Sequence, residues 1–175
     1  STVYPGAIIE VFKPIIEKIS KLKLFESNKN NFNNYFHLGY SPERINPSDK
    51  KNKLANTKKI ISGSSFEAIK KVRYVYKKII KAGVHETKNI EEAESAKLLE
   101  NIQRDCNISI INEYSVVMRN MGIDFNNVLK ASATKWNFNK FSPGLVGGHF
   151  LAFDPYYLIH KSKKMNYICS INPTK

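Results

Sequence analysis

Between Ile90 and Gly122 the chain runs without a proline or an internal glycine, and its pattern stays helical throughout. Asn89, with Glu92 three residues later, supplies a capping-box variant at the start. At about 1.5 Å per residue this helix extends roughly 45 Å, more than a small lobe needs to cover itself. Its apolar residues are not confined to one narrow stripe, so the pattern leaves a face for a partner subunit.

The flanking segments are shorter and mixed. Ile8, Val11, Phe12, Ile15, Ile16 and Ile19 repeat at helical spacing between Ala7 and Leu22, and Pro14 predicts a kink or a later start. A polar loop then precedes a short strand expected over Tyr35 to Tyr40, and Pro42 and Pro47 bracket a rigid turn. KIISG reads as a buried strand, followed by a helix capped by Ser64 or Ser65 and running through Ala82 to Gly83. That helix is expected to bury Phe66, Ile69, Val72, Tyr76, Ile79 and Ile80. Further helices are expected from Asp124 to Ala133 and from Asp154 or Pro155 to Lys163. The fold class is therefore α/β and α-rich.

With 42% hydrophobic residues among 175, a folded chain is expected rather than a disordered one. No stretch approaches the roughly 20 apolar residues of a membrane-spanning helix, and the opening residues lack a signal-peptide pattern, so no membrane is expected and the location read is cytoplasmic. Two cysteines, Cys106 and Cys169, form no cluster with the four histidines, so neither a disulfide framework nor a metal site is expected. Lys and Arg exceed Asp and Glu by 28 to 15, a net +13 that favours anionic partners. The basic residues are dispersed and lack a nucleic-acid motif, so nucleic acid is not the expected partner.

Three groups of residues carry possible chemistry. Lys97 and Asn101 stand four apart and share a helix face, where an ammonium and an amide together suit a developing oxyanion. Taken alone, such a pair is more often ordinary helix surface. Pro143-Gly144-Leu145-Val146-Gly147-Gly148-His149 forms a glycine-rich turn whose backbone can approach a ligand closely, though it is not a GxGxxG dinucleotide fingerprint. Asp154 opens a helix, where capping competes with a role as general base or water-orienting carboxylate.

In order and spacing, YSPERINP at 40–47, AESAKLLENIQRDCNISIINE at 93–113 and TKWNFNKFSPGLVGGHFLAFDPYYL at 134–158 resemble the UDP-glucose/GDP-mannose dehydrogenase family over nearly the whole chain. SPERINP and KWNF look most like the branch acting on UDP-N-acetylhexosamines, the UDP-N-acetylmannosamine or UDP-N-acetylgalactosamine dehydrogenases of bacterial surface-polysaccharide synthesis. The resemblance implies NAD-dependent oxidation of the sugar C6 alcohol to a carboxylate through an enzyme thioester. It implies that Lys97 and Asn101 stabilise the oxyanion, that Asp154 acts as base or water organiser, and that Glu43 and Thr2 line the reaction centre. Asn139, Phe141, Gly147 and Gly148 would contact the sugar nucleotide.

Phe150 occupies the position of the family's nucleophilic cysteine. A phenyl ring cannot carry a thioester, so this chain is expected to be inactive. Cys106 and Cys169 read as small core or tail residues rather than substitutes. The resemblance further implies a central fragment. Residues 1–88 would correspond to the second half of a Rossmann-like NAD domain, 89–165 to a helical dimerisation domain, and 166–175 to the start of a UDP-binding domain. NAD belongs to the family expectation, but the glycine fingerprint is not in this sequence. A homodimer is expected, and an alternative reading makes the chain a non-catalytic module pairing with an intact paralogue.

Overall fold

Pro14 shapes the first helical segment. A π-helical stretch, Ile8–Phe12, leads into helix α1, Lys13–Ser20, with the proline in its first turn, where a missing N–H costs little. The Lys13 N–H reaches back five residues to the Ile8 carbonyl, and Lys21 closes the helix in the left-handed region at φ 61°. The computed structural model describes residues 2–26, 34–46, 49–145, 153–169 and 171, which fall into two compact units, Ser1–Leu98 and Leu99–Lys175.

In the first unit, β1 (Lys23–Leu24) pairs in parallel with β2 (Tyr35–Phe36). A second sheet has the order β3 (Gly39–Tyr40), β4 (Lys59–Gly63), β5 (Val84–Glu86), with β4 antiparallel to β3 and parallel to β5. The single strand expected over Tyr35 to Tyr40 is thus two strands in two sheets. The break falls at His37 and Leu38, where side chains replace ladder bonds. Leu38 N–H donates to Ser64 Oγ at 2.9 Å, Ser64 N–H donates to the Leu38 carbonyl at 2.8 Å, and His37 Nδ1 lies 2.7 Å from Ser65 Oγ.

Ser65, not Ser64, caps helix α2 (Phe66–Ile79), its hydroxyl accepting from the Ala68 N–H. The helix stops before Ala82 because Ile80 turns extended and is itself buried. Phe66 and Ile79, expected inside, are exposed; Ala68 takes the buried place against β4. At the far side Arg73 pairs through two hydrogen bonds with Glu86 of β5. The core of this unit gathers Tyr40, Ile60, Ile90 and Ala93, with Val3, Ile8, Ile9, Leu38 and Ala96 packed against them.

Helix α3 runs Ile90–Asn120. Asn89 Oδ1 accepts from the Glu92 N–H at 2.8 Å while the Glu92 carboxylate accepts from the Lys88 N–H at 2.9 Å, so the reciprocal cap closes one residue earlier than the usual box. At the other end Gly122 adopts φ 71° and the Ile123 N–H returns to the Met118 carbonyl. Helix α4 (Phe125–Ser132) follows at once, capped by Asp124, and α5 spans Asp154–Lys164 with Pro155 in its first turn. The helix-rich α/β class and the long central helix are both as the sequence implies.

Candidate functional site

Helix α3 buries three polar side chains, Glu94, Asn101 and Asp105, at spacings of seven and four residues that place them along one face. An amphipathic helix that only packed would carry aliphatic groups there, and each buried polar group demands a partner. In the second unit the partner of Asn101 is Asp154, at the start of α5. The Asn101 side-chain amide donates to Asp154 Oδ2, and both residues are buried. Two of the residues singled out by sequence therefore meet directly, although they lie 53 positions apart.

Thr2, Glu43 and Lys97 belong to the first unit, where Thr2 and Lys97 are half-buried and Glu43 is exposed. Lys97 stands one helical turn before Asn101 on α3. Glu43 Oε1 accepts from the N–H groups of Arg44 and Ile45, both at 2.8 Å, and Oε2 lies 3.8 Å from the Lys59 ammonium. Partial burial pulls its carboxyl upward, but the Ile45 N–H, the Lys59 charge and the Arg44 N–H outweigh this and hold it below the ordinary carboxylate value. Gly147, Gly148 and Phe150 lie outside the described residues.

Asn139 and Phe141 line an open pocket of about 300 Å³ together with Lys140 and with Gln103, Arg104 and Asn107 of α3. Two cations, three amides and a ring converge there without a carboxylate. Gly144, in the described part of the glycine turn, is anchored by Asn112, whose amide donates to the Gly144 carbonyl at 2.8 Å and whose Oδ1 accepts from the Gly144 N–H at 2.9 Å. One side chain thereby imitates the paired bonds of a neighbouring strand.

Sequence reading did not single out Glu94, Asp105 or Asn112. For the two acids the available signal was a carboxylate on the stripe otherwise carried by Ala93, Leu98 and Ile102. Glu94 accepts from the Gly6 N–H at 2.6 Å and the Ile8 N–H at 3.0 Å, fastening the segment after Thr2 to α3 three residues before Lys97. Burial, and then the Glu94 charge, push the Tyr40 phenol up to about 12. Asn112 left no signal, because its partner is backbone. Burial, with neighbouring Asp105 next, also raises the Cys106 thiol, and a thiol kept protonated is a poor nucleophile.

Residues 91–172 match the UDP-glucose/GDP-mannose dehydrogenase family, central domain. The chain is 50% identical over 167 residues to a Pseudomonas aeruginosa protein named UDP-N-acetyl-D-glucosamine 6-dehydrogenase, covering 95% of this chain and 38% of that one. It is 47% identical over 167 residues to a Salmonella typhi protein of the same name, covering 95% and 37%. Among solved structures, the UDP-D-ManNAc dehydrogenase of Pyrococcus horikoshii superposes with a TM-score of 0.79 at 29% identity, covering 93% of this chain and 37% of that one. The chain spans little more than a third of the length of these relatives.

Proposed function

The chain belongs to the UDP-glucose/GDP-mannose dehydrogenase family, and from that premise we propose that it is the sugar-nucleotide-binding centre of a UDP-N-acetylhexosamine 6-dehydrogenase that no longer completes the oxidation. The buried hydrogen bond between Asn101 and Asp154 carries this reading, because it joins two separately read site residues in an arrangement able to orient a hydroxyl or a water. In the proposed assignment Lys97 and Asn101 stabilise the oxyanion, Asp154 serves as base or water organiser, and Thr2 and Glu43 line the centre. Asn139, Phe141, Gly147 and Gly148 receive the sugar nucleotide. The cations Arg104 and Lys140 suit its diphosphate. Residues 1–88, 89–165 and 166–175 are assigned to the nucleotide, helical and UDP-binding domains respectively.

The family's enzymes are NAD-dependent. The GxGxxG fingerprint is not in this sequence, and in the first unit the turn from β4 into α2 does not replace it. Gly63 is its one glycine, the Ser64 N–H is engaged by the Leu38 carbonyl, and the Ser65 hydroxyl caps the helix. No step of chemistry is therefore assigned to NAD on this chain. Phe150 removes the thioester route independently.

Self-association through α3 is the second part of the proposal. Ile110, Tyr114 and Val117 of α3, with Met121 just past its end, repeat at intervals of four, three and four residues, and all are exposed. This surface suits either a second copy of the chain or an intact paralogue. Light scattering showing only a monomer, with no paralogue retained on co-purification, counts against it.

The functional experiment has two readouts. The chain incubated with NAD⁺ and UDP-N-acetylglucosamine or UDP-N-acetylmannosamine yields no NADH above background, and sustained turnover overturns the claim of inactivity. Added UDP-N-acetylglucosamine perturbs the side-chain amide NMR signals of Asn101 and Asn139. Unmoved signals at millimolar ligand sink the binding reading.

A further inference from the structure

Lys59 opens β4 yet is buried, beside the aliphatic pair Ile60 and Ile61. An ammonium taken out of water loses several kcal/mol of hydration, which an aliphatic residue in the same place would not. What Lys59 gains in exchange lies in one loop. Its Nζ donates to the Pro42 carbonyl at 2.7 Å and stands 3.8 Å from Glu43 Oε2, with the Tyr76 ring of α2 at 5.6 Å. The rest of that loop is tied to the same stretch of chain. Ser41 Oγ donates to the Ile60 carbonyl at 2.6 Å, and the Arg44 guanidinium donates to the Lys58 carbonyl at 2.7 Å.

We propose that Lys59 is the positioning residue of Glu43, fixing from β4 the direction of its carboxylate. The functional meaning of Glu43 rests on the sugar-nucleotide reading above. With Oε1 engaged by two backbone N–H groups and Oε2 facing the ammonium, the side chain cannot swing freely, though it remains open to solvent. A fixed anionic carboxylate accepts hydrogen bonds and repels phosphate. Glu43 is thereby suited to accept from a hydroxyl or an acetamido N–H group rather than to hold a phosphate. The groups around this pair are Lys59 and the Lys58 carbonyl from the β4 stretch, Arg44 from the loop, and Tyr76 from α2.

The test follows the Glu43 carboxyl carbon by NMR through a pH titration of the whole chain, in native, Lys59→Arg and Lys59→Met forms. Lys59→Met moves the Glu43 midpoint upward, and Lys59→Arg keeps it near the native position. A midpoint unmoved in Lys59→Met overturns the proposal, since a lysine that merely held the Pro42 carbonyl would give that result. If Lys59→Met does not fold, Glu43→Gln is read from the other end. Hydrogen exchange at the Lys59 ammonium then accelerates, and unchanged protection is the refuting outcome, because coupling between two sites is reciprocal. Neither readout contains a nucleotide sugar. Failure here leaves the sugar-nucleotide reading standing, and failure of nucleotide sugar to bind leaves the Lys59 pairing intact.

Discussion

The side-chain amide of Asn101, in the first half of α3, donates a hydrogen bond to the carboxylate of Asp154 at the first residue of α5, with both groups out of solvent. A helix start is a place where a carboxylate commonly turns inward to cap its own backbone, but this one is engaged by another helix. Asn101→Ala removes the donor and leaves the space. The expected loss is about 1–3 kcal/mol of unfolding free energy, measured by urea denaturation. A variant as stable as the parent removes Asp154 from the list of groups that depend on α3.

The Tyr40 phenol makes the alkaline limit of stability a local property. Its folded value of about 12 lies above the ordinary 10.0, so its contribution is complete below pH 10 and disappears as pH rises towards 12. A difference of that size corresponds to about 2–3 kcal/mol. Tyr40→Phe should flatten the fall in stability between these limits by about that amount. An unaltered alkaline slope assigns the effect to other groups.

Glu94→Gln tests the same region from the other side. The carboxylate accepts from two backbone N–H groups, whereas glutamine offers one acceptor and turns an NH₂ towards the second donor. The expected cost is about 1–3 kcal/mol, and the Tyr40 midpoint moves down once the charge is gone. Ultraviolet titration, with the Tyr40→Phe curve subtracted to isolate this phenol among the nine tyrosines, reports the second effect. A rise in the midpoint contradicts the electrostatic account.

Two glycines of the β-sheet differ in what a methyl group would meet. At Gly63 a Cβ would lie 2.7 Å from the Ile69 nitrogen and 2.8 Å from Ala68 Cβ, both fixed parts of α2. At Gly39 the obstacle is Val72 Cγ2 at 2.5 Å, a side-chain atom that can rotate away. Gly63→Ala should cost about 1–3 kcal/mol and more than Gly39→Ala. The reverse order in chemical denaturation shows that α2 yields more readily than its packing on β4 implies.

Phe150→Cys puts a thiol where the proposed assignment places the family's nucleophile, yet the variant is expected to produce no NADH from NAD⁺ and UDP-N-acetylglucosamine. The GxGxxG fingerprint of a dinucleotide site, which is not in this sequence, is not supplied by the substitution. Measurable NADH formation places the entire defect at residue 150.

Long-period features were legible in the sequence and short-range exceptions were not. Apolar periodicity located α1, α2 and α3, and motif order located Asn101 and Asp154 as candidates long before their contact was visible. The UDP-N-acetylhexosamine branch read from SPERINP and KWNF agrees with the names of the Pseudomonas and Salmonella relatives. The division of Tyr35–Tyr40 between two sheets was hidden because serine side chains, not a glycine or proline, make the break. Phe66 was misassigned because it heads α2, before the helix has turned its stripe onto β4. The burial of Lys59 has no signal in the sequence, since the Pro42 carbonyl and Glu43 that hold its ammonium lie 17 and 16 residues away in another loop.

Asn112 holds Gly144 from outside the segment that carries the glycine motif. The first glycine of that motif and the side chain that holds it are thus written more than thirty positions apart. Transplanting 143–148 into another scaffold would carry the spelling without the destination, and a search for such loops by local pattern alone would collect copies that point nowhere.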